Sequence, residues 1–184
     1  MDYIYSDIGV TNKASNYIVL QLESGYTGTV TITNQTNDYV VANTGNKSKA
    51  LLINNLSLSS FTMEADFSPQ QESIGLALCT AEKYGHVYAV PASRDQMNGW
   101  QYKNGAFSAP LGYSQNFSKS LSDYNVHLKV VKNGSTVTVD VYDNTDNTRV
   151  YTKSITLPDF LQGSVGVGVG VGVGSGNFKN FTIL

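Results

Sequence analysis

Residues 84–113, "YGHVYAVPASRDQMNGWQYKNGAFSAPLGY", gather side chains suited to a hydroxyl-rich ligand. They hold the only tryptophan and one of the two arginines, with four tyrosines, His86, Asp95 and Gln96. A sugar ring presents apolar C–H faces that stack on aromatic rings. Its hydroxyls match the planar donors and acceptors of Arg, Asp and Gln. Alternation places Trp100 and Tyr102 on one face of a strand, with Arg94, Asp95 and Gln96 in the loop before it. The candidate binding residues are therefore Tyr84, His86, Arg94, Asp95, Gln96, Trp100, Tyr102 and Tyr113. The competing reading puts Trp100 in the core and makes Arg94 and Asp95 a surface pair.

Other reactive residues offer less. His127 alternates with Val126, Leu128 and Val130, which directs it to solvent, while His86 shares a face with Tyr88. No nucleophile elbow accompanies either histidine. Cys79, the single cysteine, reads as a small strand residue and cannot form an internal disulfide. In "DNTDN" (143–147), Asp143 and Asp146 are candidate calcium ligands, but the D-x-D-x-D-G order is missing and a hairpin turn accounts for the segment equally well. No other cofactor is indicated.

The elements that must carry these residues are strands. The 184 residues suit one domain or a domain with a small appendage. A chain of this length buries roughly 70% of its unfolded surface without disulfide or metal. Net charge is −2 with 14% charged residues, and Lys and Arg form no run, so nucleic-acid binding is not expected. No apolar stretch reaches the ~18 residues of a membrane span, and Met1-Asp2-Tyr3 has no basic segment of a signal peptide. Abundant Asn, Ser, Thr, Gly and Tyr with little Pro suit an all-β protein exposed at the cell exterior.

Short alternating segments separated by turns recur throughout, without an amphipathic helix. "NYIVLQLES" and "YTGTVTITN" read as an N-terminal hairpin within 1–34, ahead of a jelly-roll domain at 35–184. Asn104-Gly105 and Asn133-Gly134 mark further hairpins. In "GSVGVGVGVGVGSGNF", from Gly163, alternation puts Val165, Val167, Val169, Val171 and Val173 on one face and only glycines on the other. "SIGLALC" repeats this pattern, with Ile74, Leu76 and Leu78 opposite Gly75, Ala77 and Cys79. The bare face is either a ligand groove or a surface covered by neighbouring side chains and loops.

"LLINNLSLSSFTMEADF" (51–67), "IGLALCTAEKYGHVYAV" (74–90), "YNVHLKVVKNGSTVTVDVYD" (124–143) and "GSVGVGV" with "GNFKNFTI" resemble the strand phrases of laminin-G/concanavalin-A-like jelly rolls. The likeness spans about residues 38–184 and is nearest to bacterial carbohydrate-binding modules of the fructan-binding type. Bacteriophage baseplates carry similar modules. It implies an all-β jelly-roll sandwich of two antiparallel sheets; no family ligand residue is carried over. The same fold hosts β-glucanases with a Glu-x-Asp-x-x-Glu strand. Here Glu64 and Asp66 match, but Pro69 stands at the third carboxylate, so no enzyme is expected. Glu64 and Asp66 then belong to a polar face opposite Met63, Ala65 and Phe67. The expected function is non-catalytic binding of a polysaccharide or cell-surface glycan, attaching a larger enzyme, surface protein or phage particle. A protein-binding adhesion module and a divergent glycoside hydrolase are the alternatives.

Overall fold

The structure, a computed structural model, describes residues 5–6, 17–35, 38–53, 56–71, 73–108, 115–122 and 124–184. In chain order the strands are β1 (Tyr5–Ser6), β2 (Tyr17–Gln21), β3 (Val30–Gln35), β4 (Asp38–Asn43), β5 (Lys49–Ile53), β6 (Ser60–Pro69), β7 (Ser73–Ala81) and β8 (Tyr84–Pro91). There follow β9 (Gln96–Lys103), β10 (Ala106–Ser108), β11 (Gln115–Asn116), β12 (Val126–Asn133), β13 (Thr136–Asp143) and β14 (Thr148–Thr156). The short helix α1 (Asp159–Gln162) precedes β15 (Gly166–Val171) and β16 (Gly174–Ile183).

These strands form a jelly-roll sandwich of two antiparallel sheets. Sheet A has the order β14-β13-β12-β6-β16-β4-β3, with β1 on β16. Sheet B has the order β10-β9-β8-β7-β15-β5-β2, with β11 on β9. Their inner faces enclose one core, in which Phe61, Met63, Phe67 and Phe178 of sheet A meet Ile74, Leu76, Leu78 and Tyr88 of sheet B. Val165, Val167, Val169 and Val171 lie in that core, as the alternation requires. Val173 falls beyond the end of β15 and is 42% exposed, so the fifth valine does not share the buried face.

The hairpin read from residues 16–34 does not form. β2 pairs with β5 in sheet B and β3 pairs with β4 in sheet A. Residues 22–29 pass from one sheet to the other, which a jelly roll needs and local alternation cannot reveal. The hairpins read from Asn104-Gly105 and Asn133-Gly134 are present as β9–β10 and β12–β13. Asn104 (φ 53°) and Gly105 (φ 73°) are both left-handed, the geometry that favours this dipeptide in a two-residue hairpin turn.

A buried cation locks one end of the sandwich. Lys132 is 1% exposed, and its ammonium donates to the carbonyls of Ser59 and Gly134 at 2.8 Å and of Gln162 and Gly163 at 3.0 Å. It thereby joins the start of β6, the β12–β13 turn and the end of α1. Burial lowers its pKa.

Candidate functional site

The outer face of sheet B is built from small residues. Gly166, Gly168 and Gly170 of β15 lie in register with Cys79, Ala77 and Gly75 of β7. Ala89, Val87 and Gly85 of β8 continue these rows. Most of the face is nevertheless covered. Leu22, Ala50, Leu52, Ala77, Cys79, Val87, Ala89 and Tyr102 form a second buried apolar cluster, with Leu20 and Trp100 packed against it. A Cβ on Gly170 would lie 2.5 Å from Val87 Cγ1, so the valine side chain occupies the space that this glycine vacates. The segment after β2 closes over the face as well. Lys83 N–H donates to Gln21 C=O at 2.7 Å, and Ser24 N–H donates to Gly105 C=O at 3.1 Å. Burial pushes the Cys79 thiol up to about 12, which leaves it an unreactive packing group.

Two openings remain among the described residues. One, of about 410 Å³, lies against Ile18, Leu20, Leu52, Leu56, Cys79 and Gly166, and its lining holds no charged or aromatic side chain. The other carries both. This cavity, of about 260 Å³, is lined by Glu23, Ser48, Trp100, Phe107, Gly172 and Val173. Trp100 rises from β9, and Phe107 is carried by β10; their ring centroids lie 6.4 Å apart at 59°. Phe107 is 48% exposed. The aromatic wall faces a fixed acceptor: Glu23 Oε1 accepts the Ser48 N–H at 3.1 Å, and Oε2 pairs with Lys47 Nζ at 3.4 Å. Asn43 holds the far rim, donating to Lys47 C=O at 2.7 Å and Gly172 C=O at 3.0 Å and accepting from the Tyr26 hydroxyl at 3.0 Å. Lys49 sits 3.7 Å above the Tyr26 ring. The site thus offers a half-buried indole, a second ring and an oriented carboxylate around a space large enough for one sugar ring.

The residues singled out in 84–113 scatter around this fold. Trp100 lines the cavity. Tyr102 shares its face, but it is fully buried beneath and packs at 5.8 Å on Phe107. Burial pushes its hydroxyl well above the usual range. His86 is also fully buried, on the opposite, core-facing side of sheet B. Its Nδ1 shares a hydrogen bond with the Tyr88 hydroxyl at 2.9 Å, and its Nε2 lies 3.1 Å from Gln101 Oε1. Burial lowers its pKa to about 4 despite Gln101, so it is neutral and out of reach of a surface ligand. Tyr84 shares that inner side and packs edge-on against Phe160 at 5.7 Å. Arg94 occupies the β8–β9 turn and donates to Pro69 C=O at 3.0 Å. Asp95 accepts from Ser93. Gln96 starts β9, four residues before Trp100, on the same face but roughly 13 Å along the strand. Tyr113 lies outside the described residues. Glu23, Ser48, Gly172 and Val173 were invisible to a local reading, because they reach the cavity from three distant segments. Phe107 was readable: a two-residue Asn104-Gly105 turn sets it opposite Tyr102.

The outer face of sheet A carries the two acidic residues of β6. Asp66 accepts from His127 Nδ1 at 2.9 Å, Asn144 at 2.7 Å and Asn180 at 2.6 Å. Glu64 lies 3.7 Å from both His127 Nε2 and Lys129 Nζ. Burial disfavours the His127 cation, but Asp66 and Glu64 outweigh it and raise the pKa to about 9. Both carboxylates are held below their usual range, Glu64 chiefly by His127, Asp66 by its three donors against burial. In the 143–147 turn, Lys119 sits between the two calcium candidates, 2.5 Å from Asp143 and 3.0 Å from Asp146. Its ammonium takes the place a cation would need there.

No protein-family model matches this sequence, and no curated protein does. Solved structures match it in fold. The carbohydrate-binding module CBM66 from Bacillus subtilis superposes with a TM-score of 0.62 at 18% identity, covering 89% of this chain and 98% of that one. The chain has a carbohydrate-binding-module-like, lectin-like fold. A Bacillus subtilis protein of unknown function with a galectin-like fold gives 0.61 at 9% identity, covering 100% and 96%. The exoplasmic/lumenal domain of VIP36, in its Ca2+/Man3GlcNAc-bound form, gives 0.58 at 11%, covering 97% and 90%.

Proposed function

We propose that this chain is a non-catalytic carbohydrate-binding module that holds a sugar unit in the Trp100 cavity. The observation that carries this reading is the pairing of the Trp100 and Phe107 rings with the fixed Glu23 carboxylate around a space of about 260 Å³. The rings take the C–H face of the sugar, and Glu23 and Ser48 take hydroxyls. The module attaches a larger enzyme, cell-surface protein or phage particle to a glycan outside the cell, and fructan is the first ligand to test. Catalysis is not part of the proposal: Asp66 is saturated by three donors, and Glu64 faces two cationic side chains.

The experiment is a glycan array followed by calorimetry on the parent and on Trp100→Ala, with circular dichroism as the folding control. Affinity for the parent is expected on the order of 10–1000 μM, or about −4 to −7 kcal/mol. Trp100→Ala should remain folded and lose detectable binding. A folded Trp100→Ala that binds like the parent removes this cavity from the reading, and a parent that retains no glycan removes the function itself.

A further inference from the structure

Tyr102 carries a hydroxyl into an apolar place. Its side chain is fully buried in the second cluster, with Leu22, Ala50, Ala77, Cys79, Val87 and Ala89. None of these side chains accepts a hydrogen bond except the Cys79 sulfur, a weak acceptor. The hydroxyl oxygen is itself buried and makes no hydrogen bond among the described residues. Phenylalanine fills the same space without that cost, because a buried polar group that loses water and gains no partner is destabilising. Buried unpaired polar groups are rare in folded proteins, so this one calls for a reason.

The fold sets the hydroxyl beneath the ligand cavity. Tyr102 follows Trp100 by two residues on β9, so both rings stand on the outer face of sheet B. The β9–β10 register sets Tyr102 opposite Phe107, whose ring it meets at 5.8 Å. Two polar residues of the cavity act on the hydroxyl from the other side. Burial raises its pKa, Ser48 lowers it as a hydrogen-bonding neighbour does, and the Glu23 charge raises it again. The proton therefore stays on Tyr102, which makes it a donor. Both oxygens of Glu23 already face donors, Oε1 the Ser48 N–H at 3.1 Å and Oε2 Lys47 Nζ at 3.4 Å. Ser48 Oγ is the acceptor that remains. A serine hydroxyl has two lone pairs and one proton, so it can accept from below and donate onward at once.

We propose that Tyr102 is a positioning residue of the Trp100 cavity: as a sugar binds, its O–H donates to Ser48 Oγ and so turns the Ser48 proton towards a sugar oxygen. The proposal rests on the carbohydrate reading of this cavity and adds the polarity of one contact. With Ser48 accepting from Tyr102, the atom that meets it from the cavity is an acceptor, such as a ring oxygen, a glycosidic oxygen or a hydroxyl lone pair. Glu23, an acceptor only, takes a hydroxyl proton beside it. The floor thus presents a donor next to an acceptor, which suits two neighbouring oxygens of one sugar. Chained hydrogen bonds strengthen one another in a low-dielectric interior, so the buried hydroxyl reaches the ligand through Ser48 without touching it.

The test is a double-mutant cycle of Tyr102→Phe and Ser48→Ala, read by NMR titration with a fructan oligosaccharide and by thermal melts without it. Each single variant should weaken binding about ten-fold, or about 1.4 kcal/mol, and the double variant no more than either. Tyr102→Phe should melt no lower than the parent, because it deletes an unpaired hydroxyl and keeps the ring. Ser48→Ala keeps the N–H that Glu23 accepts, so the carboxylate stays in place. A Tyr102→Phe variant that binds like the parent overturns the proposal and leaves the carbohydrate reading standing. Losses that multiply to about a hundred-fold in the double variant, or a Tm lowered by Tyr102→Phe, overturn it too, since the two hydroxyls then act separately or the buried one is structural. A parent that does not bind the oligosaccharide also overturns it, and the glycan array decides whether the carbohydrate reading falls as well.

Discussion

On the outer face of sheet A, Asp66 alone accepts three side-chain hydrogen bonds, and His127 is held between two carboxylates. On the outer face of sheet B, the centre is glycine, alanine and valine, and the polar groups stand at the rim around Trp100. The first face has spent its polar capacity on itself. The second keeps a carboxylate and two rings beside open space. Polar side chains are therefore poor markers of a binding face unless their partners are known. Glu64, Asp66 and His127 look more reactive in sequence than Glu23 and Ser48, yet they bond one another, whereas Glu23, held by Ser48 N–H and Lys47, lines a cavity beside two rings.

The core beneath both faces sets the scale against which they are compared. Val169→Asp puts an unpaired carboxylate where side chains of both sheets meet, and should cost about 4–5 kcal/mol, enough to unfold a marginal domain. Urea denaturation or a thermal melt would show this; an unchanged Tm would mean that β15 does not hold its valines in the core.

Asp66→Ala tests whether face A is a closed network. It leaves the His127 cation half-buried with only Glu64 at 3.7 Å, and should cost about 3 kcal/mol. A loss below about 0.5 kcal/mol would place the cluster with ordinary surface pairs and break the contrast.

The two histidines sharpen the comparison through pH. His127 has a folded pKa of about 9, above the unfolded value of 6.5. Its contribution is full below pH 6.5 and is lost as pH rises through 9, on the order of 2 kcal/mol. His86 has a folded pKa of about 4, below the unfolded 6.5, so stability falls as pH drops from 6.5 towards 4. Stability should peak near pH 6.5 between these two values. His127→Gln should flatten the alkaline limb only, and His86→Gln the acid limb only. Denaturant midpoints across pH 4–9 would check both, and a limb unmoved by its own variant would reject that assignment.

The smallest effect separates the faces by function. Phe107→Ala should weaken glycan binding about five-fold, or roughly 1 kcal/mol, because the second ring of the cavity wall is lost. Tyr142→Ala, on face A against His127 at 6.1 Å, should leave affinity unchanged. Calorimetry with the ligand found on the array reads both, and the reverse pattern would move the site to sheet A.

Most strands were legible because alternation at period two is a local property. Met63, Ala65 and Phe67 point inward, and Glu64 and Asp66 outward, because successive side chains of a strand must take opposite faces. The same rule put Val165 to Val171 in the core and His127 outside it. The hairpin dipeptides were legible because left-handed backbone favours Asn and Gly, and with them the register that sets Phe107 opposite Tyr102. A short-range pattern could not say which sheet a strand joins. β2 and β3 were read as neighbours because they are adjacent in sequence, and the fold sends them to opposite sheets. Nor could it say which face of a strand is inner: His86 and Trp100 lie on opposite sides of sheet B, one sealed in the core and one on the cavity wall. The sequence by itself determined the strands, their two faces and the bare glycine row. Only the tertiary structure decided that Val87 fills the space at Gly170 and Leu52 that at Gly166, and that Glu23, Ser48 and Gly172 meet Trp100 beside that row, because these contacts join segments that only chain folding brings together.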